Sequence, residues 1–193
     1  MNSTLKDFRL EEKVSEEVIN KYKEIIPEDL LEVWKEYGFG SFLNGYLKIV
    51  NPDEYEEVLK ETYIQTEVEK IKNTTVLFAT GMGDLIILEE TEEEDRYMYI
   101  IKYRKGVFNN VLGGAYCFFR FLEDKEFISL ELDIDMYNKA IQKYGEPAYD
   151  ECFGYVPLLG LGGKDTVDNL KKVKLKEHIY IINDLVGPVE EME

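Results

Sequence analysis

With one histidine, two cysteines and five prolines in 193 residues, the chain has little of the usual equipment for catalysis or metal binding. His178 is the sole candidate for an imidazole base, and neither a G-x-S-x-G elbow nor a reactive-cysteine signature accompanies it. Cys117 and Cys152 make no disulfide framework. Each sits in an apolar stretch, which predicts small buried hydrophobes in a reducing, cytoplasmic protein. C-x-x-C and H-E-x-x-H are both missing, so spacing points to no zinc site. No apolar run approaches the roughly 20 residues that cross a bilayer. The first dozen residues also lack the basic-then-apolar order of a signal peptide. Positive charge is scarce too: 23 Lys and Arg stand against 40 Asp and Glu, a net charge of −17. Such a field repels nucleic acid and anionic membranes. It speeds encounter with basic partners, most strongly at low salt.

What is present is ample core material. Hydrophobic residues make up 45% of the chain and aromatics 13%, enough for one large domain or two small ones sharing a core. Ser15 is placed to cap a helix with Glu16 and Glu17 in its first turn, followed by Val18, Ile19, Tyr22, Ile25 and Ile26 at helical spacing. Pro27 suits position N1 of a second helix, striped by Leu30, Leu31, Trp34 and Tyr37 and stopped at Gly38. Residues 46–50 read as a strand, and Asn51-Pro52 opens a helix carrying Tyr55, Val58, Leu59 and Tyr63. Residues 75–80, 84–89, 96–104 and 107–112 read as strands. The character changes at Gly113-Gly114. Residues 115–122 predict a buried helix. Asp133 or Asp135 caps the next one, which bears Met136, Ala140, Ile141 and Tyr144 and ends at Gly145. Two strands, 149–156 and 170–173, precede a final helix over 175–185 with Ile179, Ile182 and Leu185 facing inward. The order is mixed, not strictly alternating. The fold class is therefore α+β, a largely antiparallel central sheet with helices packed around it. Two subdomains, 1–112 and 113–193, are expected to share or abut one core.

Several residue groups could be taken for chemistry. Cys152 with His178 would be a nucleophile and base if the fold joined them; the plainer reading of His178 is a helix histidine. Asp133-Ile-Asp135 resembles the opening of a calcium loop. Its sixth position, however, is Asn138 and not glycine, which favours a helix cap. Gly81-Met-Gly83 lies between two strands, as a hairpin turn does, and does not open a helix as a phosphate loop would. The run from Gly160 to Asp165 lacks Walker spacing despite Lys164. Lys171, Lys172, Lys174 and Lys176 have no aromatic platform and read as a solvated edge. No cofactor or metal is expected. Residues 89–95 hold six acids in seven positions: Glu89, Glu90, Glu92, Glu93, Glu94 and Asp95. This run reads as an exposed hairpin loop, either a plain solvated tip or a contact for a basic partner.

The most distinctive stretch is Asp150-Glu-Cys-Phe-Gly-Tyr-Val-Pro-Leu-Leu-Gly-Leu-Gly-Gly163, with four glycines and a proline threaded among apolar residues. Together with Phe118-Phe-Arg-Phe-Leu122, Asn169-Leu170 and Glu177-His178, it resembles the C-terminal domain of the type VI secretion DNase-immunity family. The first half resembles the GAD-like domain that precedes it. The residues that carry this likeness are Ile26-Pro-Glu-Asp-Leu30, Trp34, Tyr37-Gly38, Gly45-Tyr46, Asn51-Pro52, Phe78-Ala-Thr-Gly81 and Gly83-Asp84. Their layout is also similar to that of the broader cell-wall-regulator-like immunity superfamily. The resemblance implies a non-enzymatic bacterial immunity protein that binds a cognate toxin, often a nuclease, in the cytoplasm, without a cofactor. It transfers no binding residue. The acidic run is the expected contact with a basic toxin. Two other readings stay open: a small-molecule-sensing or scaffold module with a pocket between the halves, and a hydrolase using His178.

Overall fold

The computed structural model describes residues 3–63, 71–112 and 118–192. Cys117, the glycine pair at 113–114 and the first residues of the helix expected from 115 lie outside them.

Seven strands follow one another in space as in sequence: β1 (Arg9–Glu12), β2 (Phe39–Phe42), β3 (Leu47–Ile49), β4 (Ile71–Thr80), β5 (Leu85–Thr91), β6 (Arg96–Lys102) and β7 (Val107–Leu112). Every neighbouring pair among them is antiparallel. β8 (Glu151–Tyr155) and β9 (Leu170–Lys174) form a separate antiparallel pair. β10 (Glu190–Glu191) returns from the C-terminus and adds to the large sheet, parallel to β7. The α+β class with a largely antiparallel sheet is what the mixed element order implies.

The sheet is buried on both faces, and β5 shows why its sequence is continuously apolar. Ile86 and Leu88 belong to one core cluster, Leu85 and Ile87 to the other. Side chains alternate across a strand, so Leu85-Ile-Ile-Leu88 supplies both layers at once. One layer is covered by α1 (Glu16–Tyr22), α2 (Glu28–Tyr37) and α6 (Ile134–Tyr144), through Tyr22, Leu30, Trp34, Tyr137 and Ala140. Phe118 and Phe119 of α4 (Phe118–Phe121) join this layer, and α5 (Lys125–Leu130) packs beside α6. α3 (Glu56–Thr62) and α7 (Leu175–Val186) cover the other layer with Val58, Leu59, Leu175, Ile179 and Ile182. Both clusters draw residues from both halves of the chain.

Local signals explain most helix ends. The Ser15 side chain accepts a hydrogen bond from the Val18 N–H at 3.2 Å, and Gly38 ends α2 at φ 85°. Pro27 sits one residue earlier than expected. Its extended ψ of 144° makes it the cap residue, and its carbonyl accepts from Leu31 N–H. Asp133 does occupy the cap position of α6, but its carboxylate turns to Arg104 and Lys105, away from the helix N–H groups. Leu185 does not face inward; it is 58% exposed on the flank of α7. β1, β2 and α5 were not apparent in the sequence. β1 is exposed at all four positions, and β2 is four residues long with a central glycine, so neither shows an alternating pattern.

Lys48 lies in β3, where every residue is buried, and is 1% exposed. Its ammonium donates to the carbonyl oxygens of Ala148, at 3.0 Å, and Glu151, so a first-half strand grips the backbone of the second half. Burial lowers its pKa from 10.5 to about 8. Between those two values the folded chain has released this proton and the unfolded chain still holds it. Stability therefore rises with pH across that window. Lys48→Met has no such group. Denaturant melts at pH 7.5 and pH 10 should show wild type gaining on the variant by on the order of 1–3 kcal/mol. Parallel pH profiles would mean that Lys48 keeps its ordinary pKa.

Candidate partner-binding surface

The acidic run divides in two. β5 continues to Thr91, so Glu89 and Glu90 are strand residues paired with Tyr97 and Arg96. They are buried, 4% and 8% exposed, where a loop had been expected. Glu89 accepts from the Tyr63 hydroxyl at 2.9 Å, and Glu90 pairs with Arg96 at 3.3 Å. The strand runs two residues past Glu89, where it was read to end, because the hydrogen bond from Tyr63 and the ion pair with Arg96 accommodate the two acids. Glu92, Glu93, Glu94 and Asp95 form the tip and are exposed. The turn closes through Glu94 N–H to Thr91 O at 3.0 Å and Thr91 N–H to Asp95 O at 2.9 Å. Glu94 takes φ 66°, the left-handed conformation that ends a hairpin of this kind. The four carboxylates thus project from a short fixed turn.

Where the halves of the chain meet, charge is buried. The Arg104 guanidinium, 3% exposed, donates to Asp84 at 2.8 Å and to Asp133 at 2.8 Å. Burial alone would lower the pKa of Arg104, but Asp84 beside it outweighs that and keeps it charged. Burial raises the pKa of the Asp84 carboxyl, and Arg104 offsets part of the rise. Burial pushes Asp133 up as well. Hydrogen bonds from Lys105 and Arg104 prevail and hold it at about 2. Among the described residues, neither Asp84 Oδ1 nor Arg104 Nε has a hydrogen-bond partner.

The other candidate residues take structural positions. Cys152 is fully buried against Gly83, and burial pushes its thiol up to about 12, far from a reactive thiolate. The His178 ring packs on Gly154, and burial lowers its pKa. No hydrogen bond joins Cys152 and His178 among the described residues. Gly81 is a close-approach glycine: a Cβ there would stand 2.3 Å from the Tyr137 ring. Its N–H donates to Tyr46 O and its carbonyl accepts from Phe153 N–H. The loop around Lys164 is cinched by the Asn169 amide, which donates to Pro157 O at 2.9 Å and Lys164 O at 3.0 Å. Lys172 and Lys174 are exposed on β9, bonded to Glu146 O and Asp150.

A cavity of about 570 Å³ opens between α1, α3 and β4, lined by Tyr22, Ile25, Leu59, Tyr63 and Thr75. It lies within the first half and not between the halves. Between the halves, a cavity at Arg104, Tyr155 and His178 holds about 10 Å³, room for one water at most, and one of about 270 Å³ lies where Phe119 meets Leu5, Asp29 and Tyr37. Among the described residues, no cluster of three or more His, Cys, Asp or Glu is placed to hold a metal ion. No helix there is long and apolar enough to cross a membrane.

These features define an α+β protein whose two parts are locked by buried charge and whose outer surface carries an acidic turn. Residues 2–101 match the family model of the GAD-like domain, and residues 111–186 match that of T6SS immunity protein Tdi1, C-terminal. The chain belongs to the family that joins a GAD-like domain to the C-terminal domain of type VI secretion immunity proteins. Membership gives it a toxin-immunity role. Among solved structures, the crystal structure of Atu4351 from Agrobacterium tumefaciens shares the fold. Its TM-score is 0.69 over 96% of this chain and 89% of that one, at 20% identity. No protein of curated function matches the chain.

Two outcomes test this geometry. Arg104→Met should cost about 3–5 kcal/mol in urea denaturation because it strands Asp84 in the core. Asp84→Asn in the same chain should restore part of that, and a cost below about 1 kcal/mol for the single variant would show that the pair is not ionised. Glu94→Gly should stabilise the turn by up to about 1 kcal/mol, read as a raised Tm, since glycine takes positive φ without strain.

Proposed function

We propose that the chain is a non-enzymatic immunity protein that binds a cognate nuclease toxin in the cytoplasm and blocks its substrate surface. The observation that carries this reading is the immunity-family C-terminal domain on a chain of net charge −17. A nuclease must be basic where it meets phosphates. An acidic protein can occupy that surface in place of nucleic acid, and the opposed fields raise the association rate. The same negative field keeps the chain itself away from nucleic acid and from anionic membranes. In this reading the exposed acids Glu92, Glu93, Glu94 and Asp95 steer the encounter. Glu89 and Glu90 support their turn from within the sheet. No resident cofactor is needed, because inhibition requires only occupancy.

A pull-down of the full chain from its native lysate, followed by co-expression of the recovered toxin, tests the role. Stoichiometric recovery of one basic protein whose toxicity the chain suppresses is expected; failure to protect overturns the reading. Replacing the four exposed acids with serine should slow toxin association about 10-fold at low salt, by stopped-flow, with Tm preserved. An unchanged rate would remove the turn from the encounter.

A further inference from the structure

Among the described residues, half of the strongly exposed large hydrophobics fall on α7 and the connection from β8 to β9: Val156, Leu161, Ile181, Leu185 and Val186. α7 buries Leu175, Ile179 and Ile182 against the sheet. Ile181 and Leu185, one turn apart on its flank, are 47% and 58% exposed. The 3₁₀ turn Leu159–Leu161 lies against the end of the helix: a Cβ added to Gly160 would stand 2.6 Å from Val186 Cγ1. Leu161 and Val186 therefore add exposed apolar area at the C-terminal end of the helix. The loop that carries Leu161 is fixed by the two hydrogen bonds of the Asn169 amide and by Gly163 N–H to Leu158 O at 2.9 Å. This apolar surface is thus held in place before any partner arrives, which lowers the ordering cost of binding.

Its margin is acidic. Glu177 and Asp184 stand four residues before and three after Ile181, on the same side of the helix. Both are exposed, and neither has an ion-pair partner among the described residues.

We propose that this flank of α7, with the turn at its end, is the apolar centre of the toxin-docking face. Its occupant is a protein surface with an apolar patch edged by lysine or arginine. The proposal rests on the immunity reading and adds to it where the toxin sits. Charge selects the occupant. A second copy would bring Glu177 and Asp184 against their own equivalents across a two-fold axis, on a molecule of charge −17. A basic partner pairs those acids while its apolar patch covers Ile181, Leu185 and Leu161. Apolar centres surrounded by a polar rim are where binding energy concentrates, whereas exposed charge such as the acidic turn sets the rate of encounter.

The test places a benzoyl-phenylalanine photo-crosslinker at position 185 of the full chain, and in a second strain at position 93, in cells making the toxin. An adduct at 185 with the basic polypeptide whose toxicity the chain suppresses is expected. Ile181→Glu with Leu185→Glu should then weaken binding of that purified polypeptide by about 30-fold or more, with Tm unchanged. An adduct of twice 22.6 kDa, the chain with itself, overturns the proposal. Protected cells without a toxin adduct at 185, whether or not position 93 reacts, also overturn it and leave the immunity reading standing. Unprotected cells overturn that reading and this one with it.

Discussion

The Arg104 guanidinium, closed in between Asp84 and Asp133, is the interaction on which the arrangement of the two halves depends. Asp84 follows the turn from β4 to β5, Arg104 follows β6, and Asp133 stands at the start of α6. One side chain thus reports the position of the central sheet to the element that covers it. Desolvating Arg104 and Asp84 is costly, and their mutual contact offsets that cost. The pair with Asp84 forms within the first half, and docking of the second half adds the half-buried Asp133 as a further partner, which ties the start of α6 to the sheet. Lys48 acts in the same sense from β3. It spends its donors on Ala148 and Glu151 carbonyls that no other arrangement would bring to it.

With both faces of the central strands covered, the proposed binding features lie at the periphery. In that proposal the first half contributes the acidic turn at the tip of β5 and β6, and the second contributes α7, whose inner face is core and whose flank is not. These features suit different stages of association. Long-range charge acts before contact and is screened by salt; apolar area acts only after contact and fixes the residence time. A toxin inhibitor needs both, because it must arrive before damage is done and must then stay.

The strong periodic signals in the sequence became elements nearly as read. The stripe Leu30, Leu31, Trp34 became α2, and Val107–Leu112 became β7 residue for residue. The Asn51-Pro52 start led through a short 3₁₀ turn into α3, with Tyr55, Val58, Leu59 and Tyr63 all buried. Misreadings arose where chemistry and position conflicted. Glu90 is an acid inside a sheet, beyond the strand read as ending at Glu89, and its place is legible only once Arg96 stands beside it. Leu185 is three residues after Ile182, but it shares the exposed flank of Ile181 and not the buried stripe of Leu175, Ile179 and Ile182. The acidic tip was visible as composition, while the apolar flank of α7 could not be seen, because exposure is not a property of a residue's neighbours in sequence.

Sequence by itself determined the α+β class, the acidity and most helix and strand identities, since these follow from local spacing, caps and charge. It also held the glycine-rich stretch by which the second half resembles its family. Tertiary structure alone decided which charges are buried in pairs, which acids face solvent, and which apolar residues of α7 remain uncovered. The reason is physical: burial and pairing depend on residues tens to a hundred positions apart in the chain, and only the assembled sheet with its covering helices brings them into contact.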